Sequence, residues 1–314
     1  HYGYIGVDIF FIVSGFVMMH VVRERTASPA NVADFLGRRL LRIYSWYWVC
    51  LAFTLGVIWW FHPQDLARLD LDGSILLTSI GLNELALPIS WSLSYELYFY
   101  GLVALAWAVA GRHLQPVFWT AAAALVLFSA QVTYREGTAL SFFSSPAILE
   151  FLAGALLYLN KERFNRRAVL PVLALAAVWL FWVGIARNAT NAFPRVYTFG
   201  FSAFFLVWLF VVLESTRTYV AGKLTSSLGD ASYSIYLLHL PFLTLFYFSN
   251  LRGTLDRLPD GWITEISFLA VLTGFLGLCA ALHRFMERPL YLWLCRRLLA
   301  PVSAKLGRAA QLRW

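Results

Sequence analysis

Long runs of apolar residues, broken by short polar stretches, recur from one end of this chain to the other. A helix that crosses the roughly 30 Å hydrocarbon layer of a bilayer needs about 17–25 mostly apolar residues. Open strands would leave backbone groups unpaired in lipid, so the runs predict helices. Nine are expected, at about 5–22, 43–61, 91–110, 115–133, 144–160, 168–186, 197–213, 231–249 and 263–283. The stretch from Ser74 to Asn83 is apolar but too short to cross, and it sits in a loop with Asp65, Asp70, Asp72 and Glu84, which places it at an interface. No internal repeat, low-complexity segment or long linker divides the chain, so residues 1–314 are expected to form a single domain. The predicted class is all-α, a polytopic transmembrane helix bundle.

Composition agrees with the pattern. Hydrophobic residues make up 60% of the chain and charged residues 13%, against about 45–50% and about 25% in soluble domains. Lys and Arg divide unevenly between alternate loops: 19 fall on one side and six on the other, the six being Arg68, Arg135, Arg187, Arg195, Arg252 and Arg257. Short cytoplasmic loops carry the excess, so the C-terminus is expected inside and His1 outside. A native N-terminus that began inside would need one more helix, making ten. The net charge of +8 is explained by the same rule, and no nucleic-acid partner is expected. Cys50, Cys279 and Cys295 are odd in number and far apart, so neither a disulfide framework nor a metal site is expected.

Ionisable groups inside a bilayer are costly, at least about 2.5–3.5 kcal/mol at a helix centre, and are candidates for function. Asp8, Glu96, Glu150 and His239 stand inside predicted spans, with His20 at a cytoplasmic end. At a rise of 1.5 Å per residue, Glu96 and Glu150 fall roughly 9 Å below the outer surface and His239 near mid-depth, which would let them converge on one cavity. For each of them a hydrogen bond locking two helices is the competing reading. Helical spacing puts Ser92 and Glu96 on one face of the third span and Trp91, Tyr95 and Tyr98 on the adjoining one, and it aligns Ser232, Tyr236 and His239 as a polar stripe in the eighth. Arg38, Arg39 and Arg42 gather on one side of a helix at the cytoplasmic mouth. Arginine clusters suit phosphates, although positive-inside loops hold many arginines without any such role.

Gly6 to Phe16, Arg38-Arg39-Leu-Leu-Arg42-Ile-Tyr44, Trp91 to Tyr100, Ser232 to Pro241 and the closing Glu287-Arg288-Pro289 together resemble, in order and spacing, the acyltransferase-3 family of integral-membrane O-acyltransferases. The first two motifs are most similar to members that acylate exopolysaccharides and other surface glycans. The resemblance implies ten transmembrane helices in a bacterial inner membrane, cytoplasmic acyl-CoA as co-substrate with no bound cofactor or metal, and a glycan hydroxyl as acceptor. It implies donor phosphates on Arg38, Arg39 and Arg42, catalytic roles for Asp8, Glu96 and His239, and a cavity lined by Ser14, Trp91, Ser92, Tyr95, Tyr98, Ser232, Tyr233 and Tyr236. The chain departs from the family pattern in two places. The family's first helix, carrying an Arg and, about eleven residues further on, the His that the resemblance implies as catalytic base, does not precede Gly6 here, and His1 stands too close to Asp8 to replace that His. Ser45 occupies a position where many relatives carry Pro, which is expected to alter the start of the helix while leaving the arginines in place. A transporter or flippase of a glycan or lipid-linked precursor is the rival reading, since polar groups at mid-depth also mark a substrate path. A catalytically dead scaffold is the third.

Overall fold

The computed structural model describes residues 5–78, 85–131, 138–164, 166–189, 192–248 and 262–299, and His1 and the C-terminal residues from 300 onward lie outside them. Among the described residues there are helices and no strand: α1 (Ile5–Arg23), α2 (Pro29–Phe61), α3 (Leu71–Leu76), α4 (Trp91–Ala110), α5 (Leu114–Gln131), α6 (Ala139–Phe143), α7 (Ala147–Phe164), α8 (Leu170–Ala186), α9 (Ala192–Arg195), α10 (Phe201–Ser215), α11 (Lys223–Asp230), α12 (Ser232–Phe248), α13 (Trp262–Leu282) and α14 (Arg288–Leu294). Short π-helical turns at Val196–Gly200, His283–Glu287 and Cys295–Leu299 join or extend these helices without a break. The chain is an all-α, polytopic membrane bundle. Among the described residues, seven helical runs are long and apolar enough to cross a bilayer, and two shorter apolar helices, Leu114–Phe128 and Ser232–Phe246, occupy the places of the fourth and eighth predicted spans.

Two boundaries differ from expectation. α2 is 33 residues long and begins at Pro29, not near residue 43, because Ser28 caps it. The Ser28 hydroxyl accepts from the Asn31 amide at 3.2 Å, its carbonyl takes the first helical bond from Val32 at 2.9 Å, and proline is suited to the first helical position. Ser45 therefore lies in the middle of a continuous helix and has no part in starting it. At the other end, the last span runs on to Leu299. Pro289 follows Arg288 at the head of α14, where a missing backbone N–H is tolerated.

The chain divides into two compact units, each made of two separate segments: residues 1–36 with 94–220, and 37–93 with 221–314. No linker in the sequence marks this division. In the first unit α1 lies lengthwise against α7, and small residues allow it. A Cβ at Gly15 would strike the carbonyl of Phe151, and one at Gly154 the carbonyl of Ile12, so the two backbones touch as they do where membrane helices pack through glycine. α8 is joined to α10 by the Ser202 hydroxyl, which donates to the Ala177 carbonyl at 2.7 Å. The outward face of α8 carries Val172, Leu175, Val178, Trp179 and Trp182, all exposed and suited only to lipid.

In the second unit α2 carries the apolar segment that is too short to cross. α3 is capped by Asp70, which accepts from the Gly73 amide at 2.8 Å. Its last carbonyls are taken by aromatic donors of α2: Tyr47 bonds to Ser74 at 2.5 Å, Tyr44 to Leu76 at 2.7 Å and Trp48 to Ile75 at 3.0 Å. Those bonds satisfy carbonyls that a helix end would otherwise leave open. α12 packs on α13 through Phe242 and Phe275, whose ring centroids are 4.5 Å apart.

Candidate active site

Two polar clusters are buried in the first unit. In one, Asp8 of α1 is fully buried and receives Nη2 of Arg195 at 2.5 Å. Glu150 of α7 is also buried, close enough to Asp8 and Arg195 for their charges to act on it, and neither of its carboxyl oxygens meets a hydrogen-bond partner among the described residues. The cluster therefore sets two buried carboxyl groups beside one guanidinium. Gly200 makes room for it, since a Cβ there would stand 2.6 Å from Oε1 of Glu150. Six residues along α1, about 9 Å at the helical rise, the Ser14 hydroxyl donates to Oε1 of Glu96 at 3.3 Å, and the Tyr100 hydroxyl donates to the same oxygen. Phe151 stacks between Phe11 and Phe99, at centroid distances of 4.3 Å and 4.6 Å. Tyr95 and Tyr98 both meet α6: Tyr95 stacks on Phe142 at 4.4 Å and Tyr98 meets Phe143 edge-on at 5.1 Å.

The second unit holds the remaining candidates. Arg38, Arg39 and Arg42 lie half-buried on α2, and Tyr291 of α14 stands close enough to Arg39 and Arg38 to feel both charges. The end of the last helical run passes over the same turn, because a Cβ at Gly37 would come 2.7 Å from the Leu299 side chain. On α12 the Tyr236 hydroxyl bonds the Ile89 carbonyl at 2.7 Å and the Ser92 hydroxyl at 2.8 Å. Tyr233 donates to the Ile43 carbonyl at 2.9 Å, and Trp91 is half-buried at the start of α4. His239 directs Nδ1 at the Tyr236 carbonyl, 2.5 Å away. A carbonyl only accepts, so Nδ1 is the donor here and Nε2 is the ring nitrogen left for other partners.

A further buried polar pair lies on the side of α12 away from Tyr236. Ser232 is the first residue of the helix and is exposed, whereas Ser234 is fully buried and donates to Oε2 of Glu287 at 2.6 Å. His283 also approaches that oxygen, at 3.1 Å. The i, i+4, i+7 spacing passes over Ser234, because two residues turn a helix by about 200° and put it on the opposite face from Ser232. Sequence reasoning also passed over Arg195, which it counted as an outer-loop charge, and Tyr100, one turn from Glu96. The signal for Tyr100 was the i, i+4 spacing itself. Among the described residues, no group of three or more His, Cys, Asp or Glu side chains is placed to hold a metal ion.

An acyltransferase domain family matches residues 2–284. The chain is 30% identical to the exopolysaccharide production protein ExoZ of Rhizobium meliloti, an alignment that covers 98% of this chain and 95% of that protein. It is 26% identical to the "Putative membrane-bound transacylase BcsY" of Komagataeibacter xylinus, over 76% of this chain and 66% of that one. No solved structure matches it. With motifs in family order and a match over nearly all its length, the chain belongs to the acyltransferase-3 family and is a multi-pass membrane acyltransferase.

Proposed function

We propose that the protein moves an acyl group, acetyl in the first instance, from cytoplasmic acyl-CoA to a hydroxyl of an exopolysaccharide or other cell-surface glycan. The reading draws on the exopolysaccharide role in the name of the relative that aligns over almost the full chain. The observation that carries it is the gathering of Arg38, Arg39 and Arg42 along α2, with Tyr291 near Arg38 and Arg39. Guanidinium groups bind phosphate oxygens in pairs and stay charged, and a tyrosine hydroxyl adds a donor, so the site suits the phosphates of coenzyme A.

The chemistry then needs a base and a position. Holding the donor by its phosphates orients the thioester and saves the entropy of bringing two molecules together. A base takes the proton of the acceptor hydroxyl as its oxygen attacks the thioester carbonyl. The tetrahedral intermediate collapses, the C–S bond breaks, and the thiolate of coenzyme A leaves and is protonated. Within this chain the proposed base is His239, through Nε2. Asp8 and Glu96 are the carboxyl groups proposed to take part, Glu96 through the hydroxyls that bond it. The excess of Lys and Arg in alternate loops supports a bacterial inner-membrane protein with a cytoplasmic C-terminus, which puts Arg38, Arg39 and Arg42 on the side of the donor.

Acyl-CoA binding by the purified protein tests the donor site. Arg39→Ala and Arg42→Ala should each weaken affinity roughly tenfold to a hundredfold, the loss of about 1.5–3 kcal/mol for hydrogen bonds to a charged group. Undiminished affinity in both would remove this role from the arginines.

A further inference from the structure

The first unit contains a cleft of about 390 Å³ that none of the proposed chemistry uses. Its walls come from α5, α7 and α10 and are apolar over most of their length. Polar side chains mark its two ends on α7: Glu150 at one, buried against Gly200, and Asn160 at the other, where it accepts from Gln115 at 3.0 Å. From Glu150 to Asn160 is ten residues, about 15 Å of helix. That length is half of the roughly 30 Å hydrocarbon layer, the depth of a single leaflet. The volume lies within the range of about 300–1,000 Å³ found for small-molecule sites.

The cleft opens sideways. Trp119, Val126, Tyr197 and Phe201 line it and are also between 41% and 57% exposed, so its rim is continuous with the lipid-facing surface of a membrane bundle. Leu156 and Leu157, by contrast, line it and are buried. An apolar cleft at this depth excludes water, and an empty one forfeits dispersion contacts along its walls. Hydrocarbon from the bilayer meets both conditions. We propose that the cleft between α5, α7 and α10 is a lipid-tail site that takes in one acyl chain of a phospholipid from the side. Ala153, about one turn from Glu150, and Ala122 on α5 keep it open. The proposal is independent of which acyl group or glycan the enzyme handles.

The test uses the full chain in vesicles of phosphatidylethanolamine carrying a photoreactive diazirine in one acyl chain, with adducts mapped by mass spectrometry. Buried Leu156 and Leu157 should be labelled, along with the outward residues Leu175 and Val178 of α8 that any surrounding lipid reaches. Phe99, buried away from the cleft, gives the background. Ala153→Phe should lower labelling of Leu156 and Leu157 at least fivefold and leave Leu175 and Val178 unchanged. Ala122→Leu fills the cleft from the opposite wall and serves where Ala153→Phe does not fold. Labelling of Leu156 and Leu157 at the Phe99 background, or labelling that neither filled variant lowers, would overturn the proposal and leave lipid only on the outer surface.

Discussion

Asp8 and Glu96 are both carboxyl groups buried in the first unit, yet they are held in different ways. Asp8 is held by the guanidinium of Arg195, 187 residues away in sequence and 2.5 Å away in space. Glu96 is held by the hydroxyls of Ser14 and Tyr100. An ionisable group inside a bilayer needs compensation of at least about 2.5–3.5 kcal/mol. A counter-charge supplies it as a fixed lock between helices, and removing either partner strands the other. Hydroxyl donors supply it in smaller steps and leave a carboxyl whose surroundings can adjust as charge develops. Under the proposed function, the contrast makes Asp8 chiefly a lock between helices and Glu96 the carboxyl placed to take part in the reaction.

The contrast can be broken most forcefully at the ion pair. Arg195→Ala should destabilise the detergent-purified protein by about 3–5 kcal/mol, the usual consequence of stranding a buried charge. Unfolding followed by tryptophan fluorescence checks this, and Asp8→Asn combined with Arg195→Gln should recover most of the loss. A loss under 1 kcal/mol in Arg195→Ala would remove the lock. Gly154→Ala comes next, because its Cβ would press on the Ile12 carbonyl. About 1–3 kcal/mol of destabilisation is expected, as for other overpacked sites. Ser14→Ala should be the mildest, about 0.5–1.5 kcal/mol for one hydrogen bond, in the same unfolding measurement. If Ser14→Ala matched Arg195→Ala, the two carboxyl groups would not differ in kind.

Much of the bundle was legible because the bilayer allows so few solutions. Apolar runs of 17 or more residues had to be helices, and all nine positions carry helix. The start of α2 was harder, since residues 29–42 mix arginines with apolar positions and fall below the hydropathy of a span. The signals that fix it, Ser28 as cap and Pro29 behind it, were present but local. The π turns left no periodic trace at all. Of the site, Asp8 and Glu96 stood out as charges within apolar runs, and the arginines as a cluster. Arg195 did not, because its partner lies at the other end of the first unit's sequence and its position just before α10 resembles an ordinary loop charge. Ser234 was hidden because it stands about 200° around the helix from Ser232, off the polar stripe, and its partner Glu287 is 53 residues away.

Transfer of radiolabelled acetyl from acetyl-CoA to glycan, measured in membranes containing the full chain, tests the assignment of Glu96 most directly. Glu96→Gln keeps the shape and a hydrogen-bonding partner for Ser14 and Tyr100 but removes the charge. It should lower transfer about 10²–10⁴-fold, the range of general acid–base contributions, with thermal stability close to wild type. Transfer at the wild-type rate by a folded Glu96→Gln protein would contradict the account and make Glu96 a packing residue.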